Sequence, residues 1–482
     1  MTASYRPVGT LDVATALAPS TGPWNSRLAA HLLRRAGFGG SPADVARLAA
    51  MRMPDAVDAL MHVPEVSALP AAPADLAPDR PPPGAALATP PDPATLAAQR
   101  RVYMTARGQN RIALQSWFLD RMIASPAPLQ EKMTLFWHGH FTSAYQKGVS
   151  AQELAGQNAL FRRFALGNIA ELALRVAQDP AMLRYLDNAQ NVKAHPNENF
   201  ARELLELYTL GIGNYTESDV RESARAFTGW TIDRATGAFT MNARRHDDGM
   251  KTFLGQSGNF DGTAILAIIF QKPAAARWFA AKLLNFFVYS DPEPELIDAV
   301  AGLLVKNRFE LAPVLAVLFR SNVFYSARAY RALVKSPVEF VVGAYQLFGI
   351  AQSDRVALGA LARMGQQLFL PPNVKGWDGG VAWLNSGTLL TRENFASSLT
   401  GQMNGTPWIA AAAQAAGSEA AARMVTETIL LGDVAPSALA NLAAYLDGGG
   451  ATELGRLSPE NAAGRVRGAA YLTMAMPAYQ LA

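Results

Sequence analysis

Apolar side chains recur at three- and four-residue spacing along most of this chain, the period of helices that bury one face. An apolar run from Leu28 to Arg35 is closed by Gly37, Gly39 and Gly40, and Ser41-Pro42 then restarts a helix with a serine cap and a proline in its first turn. Ser125-Pro126 repeats that start. Leu129, Met133, Phe136 and Trp137 follow on one face of a helix expected to end near His138-Gly139-His140. Further helices are predicted over 151–165, 168–178, 197–210, 217–228, 262–270, 273–288, 292–306, 311–319, 336–348 and 353–365, with Ser336-Pro337-Val-Glu339 reading as a capping box. From Thr391 onward the chain is alanine-rich helix.

Three stretches break the helical pattern. Residues 69–93, with Pro81-Pro82-Pro83-Gly84 and Pro90-Pro91-Asp92-Pro93, read as a Pro/Ala-rich linker or surface excursion, because proline at that density blocks both helix and sheet. Residues 230–254 read as a small β-hairpin, with strands at Trp230–Ile232 and Ala238–Met241 around a turn at Asp233 to Gly237. The piece from Leu370 to Gly387, with Trp377 and Trp383, is an irregular loop long enough to suggest binding. No internal repeat is visible. The expected fold is mainly α, a multi-helical array in one large domain with a small β-hairpin insertion. Its parts are an N-terminal extension (1–27), a helical segment (28–68), the linker (69–93), the main helical domain (94–405) and a C-terminal Ala-rich helical segment (406–482).

Composition narrows the function classes. A 482-residue chain that is 50% hydrophobic can bury a large core. Lys+Arg 43 against Asp+Glu 39 leaves a net charge of only +4 without a basic stripe, which argues against nucleic acid. There is no cysteine, so disulfides, thiolate nucleophiles and cysteine-ligated metals are excluded. Apolar runs such as Ala264–Phe270 are far shorter than a membrane span, so none is expected. The first ten residues lack the basic start and apolar core of a secretory signal, which gives a cytoplasmic expectation.

The polar chemistry concentrates at Pro196–Gly211 and its helical successor from Thr216 to Trp230. On a regular helix Phe200, Leu204 and Leu207 form an apolar stripe with Glu203 on its flank. Glu206, one step further round, is an i, i+3 neighbour of Glu203, so the two carboxylates are the catalytic candidates. The plainer alternative is that Arg202 and Glu206 form a solvent-facing i, i+4 pair, and that Glu222 and Arg225 pair on the surface at i, i+3. His138 and His140, at i, i+2 around Gly139, are either metal ligands or polar residues wedged under aromatics. With His246 and Asp247 they would make a nitrogen- and oxygen-rich set suited to a divalent transition metal, although no spacing matches a strong metal motif. Asn188, Asn199, Arg225, Trp230 and Trp377 are candidate substrate contacts, since amides take hydroxyls and aromatic faces stack on sugars; Asn197 or Asn199 could equally be a helix cap. P-loop, nucleophile-elbow, zincin and dinucleotide motifs are absent.

Several motifs in order resemble the bacterial domain of unknown function 1800 family. They are His31-Leu-Leu-Arg-Arg-Ala-Gly37-Phe38-Gly39, Phe136-Trp-His138-Gly-His140-Phe141, Asp179-Pro-Ala-Met-Leu183 with Tyr185-Leu-Asp-Asn188, Pro196 to Gly211, Tyr215-Thr-Glu217 with Ala224–Trp230, His246-Asp247 with Lys251–Gly255, and the Gly376-Trp377 loop. The resemblance implies one long, mainly helical domain and carries over no reaction. It also implies frequent export beside a protein partner resembling the sulfatase and alkaline phosphatase superfamily, so export by another route stands beside the cytoplasmic expectation.

Three readings of function remain at this point. The leading one is a hydrolase or related enzyme acting on a carbohydrate or other polar polymer through Glu203 and Glu206, with His138, His140, His246 and Asp247 as metal ligands or proton-transfer groups. The others are a non-catalytic assembly or partner protein, and a polysaccharide-binding module gripping through Trp377.

Overall fold

The computed structural model describes residues 12–64, 71–73, 76–77, 92–403, 407–448 and 462–482. Most of the expected linker 69–93 therefore lies outside the described residues. Helices dominate, and the only strands among the described residues are two short antiparallel pairs. The fold is mainly α with a small β insertion, as the periodicity predicts.

Contacts divide the chain into two compact units, each assembled from separate stretches. The first holds the described residues of Met1–Thr21, Val57–Phe324 and Gln367–Asp378. Its long Pro93–Ala124 helix starts on Asp92, whose carboxylate accepts from the Ala94 and Thr95 amides. The following helix, Pro128–His140, starts two residues later than Ser125-Pro126 suggests. The Ser125 hydroxyl turns instead to accept from the Ala127 amide, and Pro128 takes the first helical position. The core of this unit is aromatic: Phe118, Trp137, Phe141, Phe161, Phe200, Phe227 and Phe279 are fully buried.

The expected hairpin is present, with Trp230–Ile232 paired to Phe239–Met241. A second ribbon, Lys251–Phe253 with Gln256–Gly258, extends past the expected end of the insertion. It turns through Leu254 (φ 47°) and Gly255 (φ 81°), the two left-handed residues that a tight hairpin turn requires. A leucine at such a position and a polar strand of Gln-Ser-Gly hide it from a search for alternation. Tertiary contacts compensate: the Asp219 carboxylate accepts from the Leu254 amide at 2.7 Å and Glu222 from the Thr252 amide at 3.2 Å, which ties the ribbon to the Glu217–Ala226 helix.

The second unit holds Gly22–Ala56, Tyr325–Gln366 and the described residues of Gly379–Ala482. Ser41 caps Pro42–Ala49 in a capping box with Asp44, and Ser336 caps Pro337–Phe348 in one with Glu339. The Phe38-Gly39 turn meets the latter helix at Gly343, where a Cβ would lie 2.5 Å from the Phe38 carbonyl oxygen. Only glycine permits that approach. The Ala-rich C-terminal helices, including Ser386–Gly401, Ser418–Leu430 and Ala462–Ala475, complete this unit.

Candidate functional site

The carboxylate stretch is not a regular helix. Asn197 accepts from the Asn199 amide at 3.0 Å and opens a short α-helix, Asn199–Glu203, which widens into a π-helix over Leu204–Thr209. The Leu210 and Gly211 amides both reach back to the Leu205 carbonyl at 3.0 Å, and the Thr209 hydroxyl donates to the Leu204 carbonyl. Gly211 ends the turn at φ 81°, where a Cβ would meet the Trp278 ring at 2.8 Å. The five-residue hydrogen-bond step rotates the side chains relative to a regular helix. Leu205 and Tyr208 are therefore fully buried, while Leu207, expected on the apolar stripe, is only partly covered. Wide turns of this kind recur at functional sites because they present side chains and carbonyls that a regular helix hides. Here the Leu207 carbonyl accepts from Trp278 Nε1 at 3.2 Å, and the Tyr208 carbonyl is 2.9 Å from His140 Nε2.

The two carboxylates have different surroundings. Glu203 is half-buried and makes no hydrogen bond among the described residues. Burial and then the neighbouring Glu206 hold its carboxyl above the usual range, with Arg202 opposing them. Glu206 accepts from the Tyr215 hydroxyl at 3.1 Å. Burial and that hydrogen bond push the Tyr215 phenol up to about 12. Arg202 does not pair with Glu206 as the i, i+4 spacing suggests. It donates to both Glu217 oxygens at 2.8 Å and to Glu198 at 3.1 Å, because the wide turn carries Glu206 away from it. The charge on Glu203 also reaches the buried phenols of Tyr185 and Tyr208, both pushed up first by burial.

The metal set expected from His138, His140, His246 and Asp247 is not assembled. Both His138 and His140 lie inside the Pro128–His140 helix, where an i, i+2 pair points to different sides. His138 Nε2 accepts from the Phe369 amide at 3.1 Å, and its ring packs on Phe118, Phe369 and Trp377. Burial lowers its pKa to about 4. His140, lowered to about 3 by burial and then by Lys282, is neutral and so donates from Nε2 to the Tyr208 carbonyl. Its ring stacks on Phe136. His246 bonds through Nδ1 to the Thr228 carbonyl at 2.8 Å. Asp247 is taken by Arg225 through Nε at 2.7 Å and Nη2 at 3.1 Å, and the Lys251 ammonium donates to its carbonyl at 2.6 Å. Among the described residues no three His, Asp or Glu side chains form a group able to hold a metal ion.

The substrate contacts expected from the sequence also disperse. Trp230 is 3% exposed and packs edge-on against Phe227 and Phe239, so its ring is core. Asn188 is buried, accepts from Asn191 Nδ2 at 3.1 Å and helps hold the loop before the carboxylate stretch. Arg225 belongs to the Glu222–Asp247 network, which is more enclosed than the surface pair the spacing suggests. Asn199 is exposed at the helix start, and Trp377 is half-buried against His138.

A family model described as a protein of unknown function (DUF1800) matches residues 31–481. The chain belongs to this family. No curated protein and no solved structure matches it.

Around the wide turn, this DUF1800 protein places residues that sequence reasoning passed over. Trp278 and Lys282 lie one turn apart on the Pro273–Phe287 helix, with the Lys282 ammonium 4.8 Å from the Trp278 ring centre. Burial and then Lys375 lower the Lys282 pKa. A half-buried tryptophan in an Ala-rich helix is a visible signal, but only the Leu207 contact gives it meaning. Tyr215 stood in a family motif without a role until its hydrogen bond to Glu206 supplied one. The second unit has a separate cleft lined by residues that include Met364, Trp383, Asn385, Thr388 and Thr391; Trp383, from the loop expected to bind, is among them, but none of the catalytic, metal or substrate-contact candidates is.

Proposed function

We propose that this DUF1800 protein is a hydrolase or related enzyme acting on a carbohydrate or other polar polymer through Glu203 and Glu206. The observation that carries the reading is the asymmetry of the pair. Glu203 is a half-buried carboxyl without a hydrogen bond among the described residues, held protonated to higher pH than usual, beside a Glu206 that serves as a hydrogen-bond acceptor. Environments that separate two carboxyls in this way suit a general acid and a general base. Glu203 donates its proton to the leaving oxygen as the C–O bond breaks. Glu206 takes a proton from the attacking water as the water oxygen bonds to carbon, so one water is consumed per bond cleaved. Tyr215 orients Glu206, and Trp278 and Lys282 offer a ring face and a cation beside the wide turn. The metal-ligand role for the histidines forms no part of this reading, because their placement and hydrogen bonds commit them elsewhere.

The test is release of new reducing ends from peptidoglycan, chitin, xylan and alginate by the purified full chain. Cleavage of at least one polymer is expected, reduced about 10²- to 10⁴-fold by Glu203→Gln. Equal cleavage by wild type and Glu203→Gln, or no cleavage of any of the four, overturns the carbohydrate reading.

A second reading, a non-catalytic assembly protein for a partner of the sulfatase and alkaline phosphatase superfamily, draws support from the commitment of His138, His140, Arg225, Trp230 and Asp247 to packing. It requires that such a partner co-purify equally well with Glu203→Gln.

A further inference from the structure

The motif His31-Leu-Leu-Arg34-Arg35 plays no part in the carboxylate reading, yet it brings two arginines into the interior of the second unit. Arg35 is fully buried and donates to the Ala329 carbonyl. Lys335, 7% exposed, sits in the turn before the Pro337–Phe348 helix with its ammonium 3.8 Å from the centre of the Tyr479 ring. Arg392, also fully buried, comes from the Ser386–Gly401 helix and spans Gln480 Oε1 at 3.1 Å and the Lys335 carbonyl at 2.7 Å. Arg34, Arg392 and Arg331 are the cations that act on Lys335, and Glu339 is the one carboxylate that does.

The compensating negative charge is already engaged. Glu339 closes its own capping box on the Ser336 amide at 2.6 Å. Asp433 accepts from the Tyr330 hydroxyl at 2.7 Å and pairs with Arg331 at 3.4 Å and Arg27 at 3.8 Å. Arg34 Nε and Nη2 and Arg392 Nε are buried donors with no acceptor within hydrogen-bond geometry among the described residues, the Tyr330 hydroxyl being the polar group that acts on Arg34. A guanidinium cannot shed its proton, so burial cannot neutralise these groups. Buried donors of fixed charge without acceptors are costly and call for a ligand that accepts. Planar guanidinium forks next to an ammonium match the geometry of a tetrahedral oxyanion.

We propose that Lys335 and Arg34, supported by Arg392, form a binding site for a tetrahedral oxyanion, phosphate or sulfate, either free or as the end group of a larger ligand. Arg34 is half-buried as a residue, with its Nε and Nη2 covered, and Lys335 and Arg392 are buried. The bound anion accepts from the guanidinium nitrogens that have no acceptor among the described residues and keeps Lys335 charged, where burial and the surrounding arginines otherwise favour its neutral form. The site uses no residue of the Glu203–Glu206 pair and stands independently of it.

The experiment compares thermal unfolding of the full chain in sodium phosphate, sodium sulfate and sodium chloride at equal ionic strength, with calorimetric titration of inorganic phosphate and glucose 1-phosphate. Phosphate and sulfate are expected to raise Tm by a few degrees over chloride at about 100-fold above Kd, with saturable heat. Arg34→Gln, at the half-exposed position, should weaken phosphate binding at least tenfold while leaving Tm in chloride unchanged or higher. Lys335→Met should behave alike. A purely structural arginine would instead lower Tm in every salt. Binding of glucose 1-phosphate supports an end-group ligand, and binding of inorganic phosphate alone supports a free ion. The proposal is overturned if phosphate and sulfate do no more than chloride for the wild type, a comparison that holds even should a variant fail to fold, or if both variants respond as the wild type does.

Discussion

Two polar clusters in the first unit are both candidates for chemistry by sequence, and they have opposite fates. At the end of the Pro128–His140 helix, His138 and His140 are wrapped in Phe118, Phe136, Phe369 and Trp377, and each has a ring nitrogen bonded to a backbone group. On the wide turn nearby in the same unit, Glu203 keeps a half-exposed carboxyl with no hydrogen-bond partner among the described residues. The histidines lock backbone to backbone, since Phe369 and Tyr208 belong to other segments. The carboxylate locks nothing. Residue type alone did not separate the two. Burial and the prior claim of main-chain groups on the side chain did, and a group that is spent on structure is not available for chemistry.

The largest effect that would break this contrast is Gly376→Ala. A Cβ there would lie 2.4 Å from the Gly139 carbonyl oxygen at φ 90°, so the loop could no longer seat on the histidine helix. We expect a loss of about 3 kcal/mol or more in urea unfolding. Gly213→Ala, at φ 89° with open space around it, should cost only about 1 kcal/mol and isolates the backbone strain.

Acid should weaken the histidine cluster next. Both histidines have folded pKa values lowered to about 4 and about 3, below the unfolded value of about 6.5, so the unfolded chain takes up protons first. Their contribution is complete above pH 6.5 and is lost as pH falls toward the folded values. Between pH 6.5 and 5.5 the two together should remove about 2 kcal/mol, read as a drop in urea midpoint.

Glu203→Gln sharpens the other side, with a stability change within about 1 kcal/mol at neutral pH. Its sign should be favourable. A carboxyl whose folded pKa is raised disfavours the native state once ionised, so the gain from glutamine should grow as pH rises through the carboxylate range. A destabilised Glu203→Gln protein would show that this residue too is structural.

The smallest effect concerns Arg202. A double-mutant cycle with Glu217, an exposed pair, should give a small favourable coupling, and the cycle with Glu206 should give close to nothing. A coupling to Glu206 as large as that to Glu217 would restore the surface-pair explanation for Glu206.

Local signals were read correctly where the chemistry is local. The helix cap at Ser41, the capping box at Ser336, the helix restart at Thr216 and the Trp230–Met241 hairpin each depend on residues a few positions apart. Ser125-Pro126 misled by two residues because a second proline, Pro128, competes for the same role. The carboxylate pair was legible as a pair, but its surroundings were not. A wheel drawn at the α-helical period cannot anticipate a π-helix whose carbonyls are claimed by Trp278 and His140, which lie some 70 residues away on either side.

What the sequence by itself determined is the helical character of this DUF1800 protein, the starts of several helices, the site of the β insertion and the residues worth testing, because periodicity and capping act within one turn. Tertiary structure decided which of those residues are free. Arg34, Lys335 and Arg392 lie up to hundreds of positions apart and carry no shared local pattern, yet both arginines act on Lys335 in the folded second unit. Glu203 and His138 look alike as polar residues beside apolar stripes. One keeps a half-buried carboxyl without a hydrogen bond among the described residues and the other holds a backbone amide, because burial and hydrogen bonding are properties of the packed chain and not of the residue.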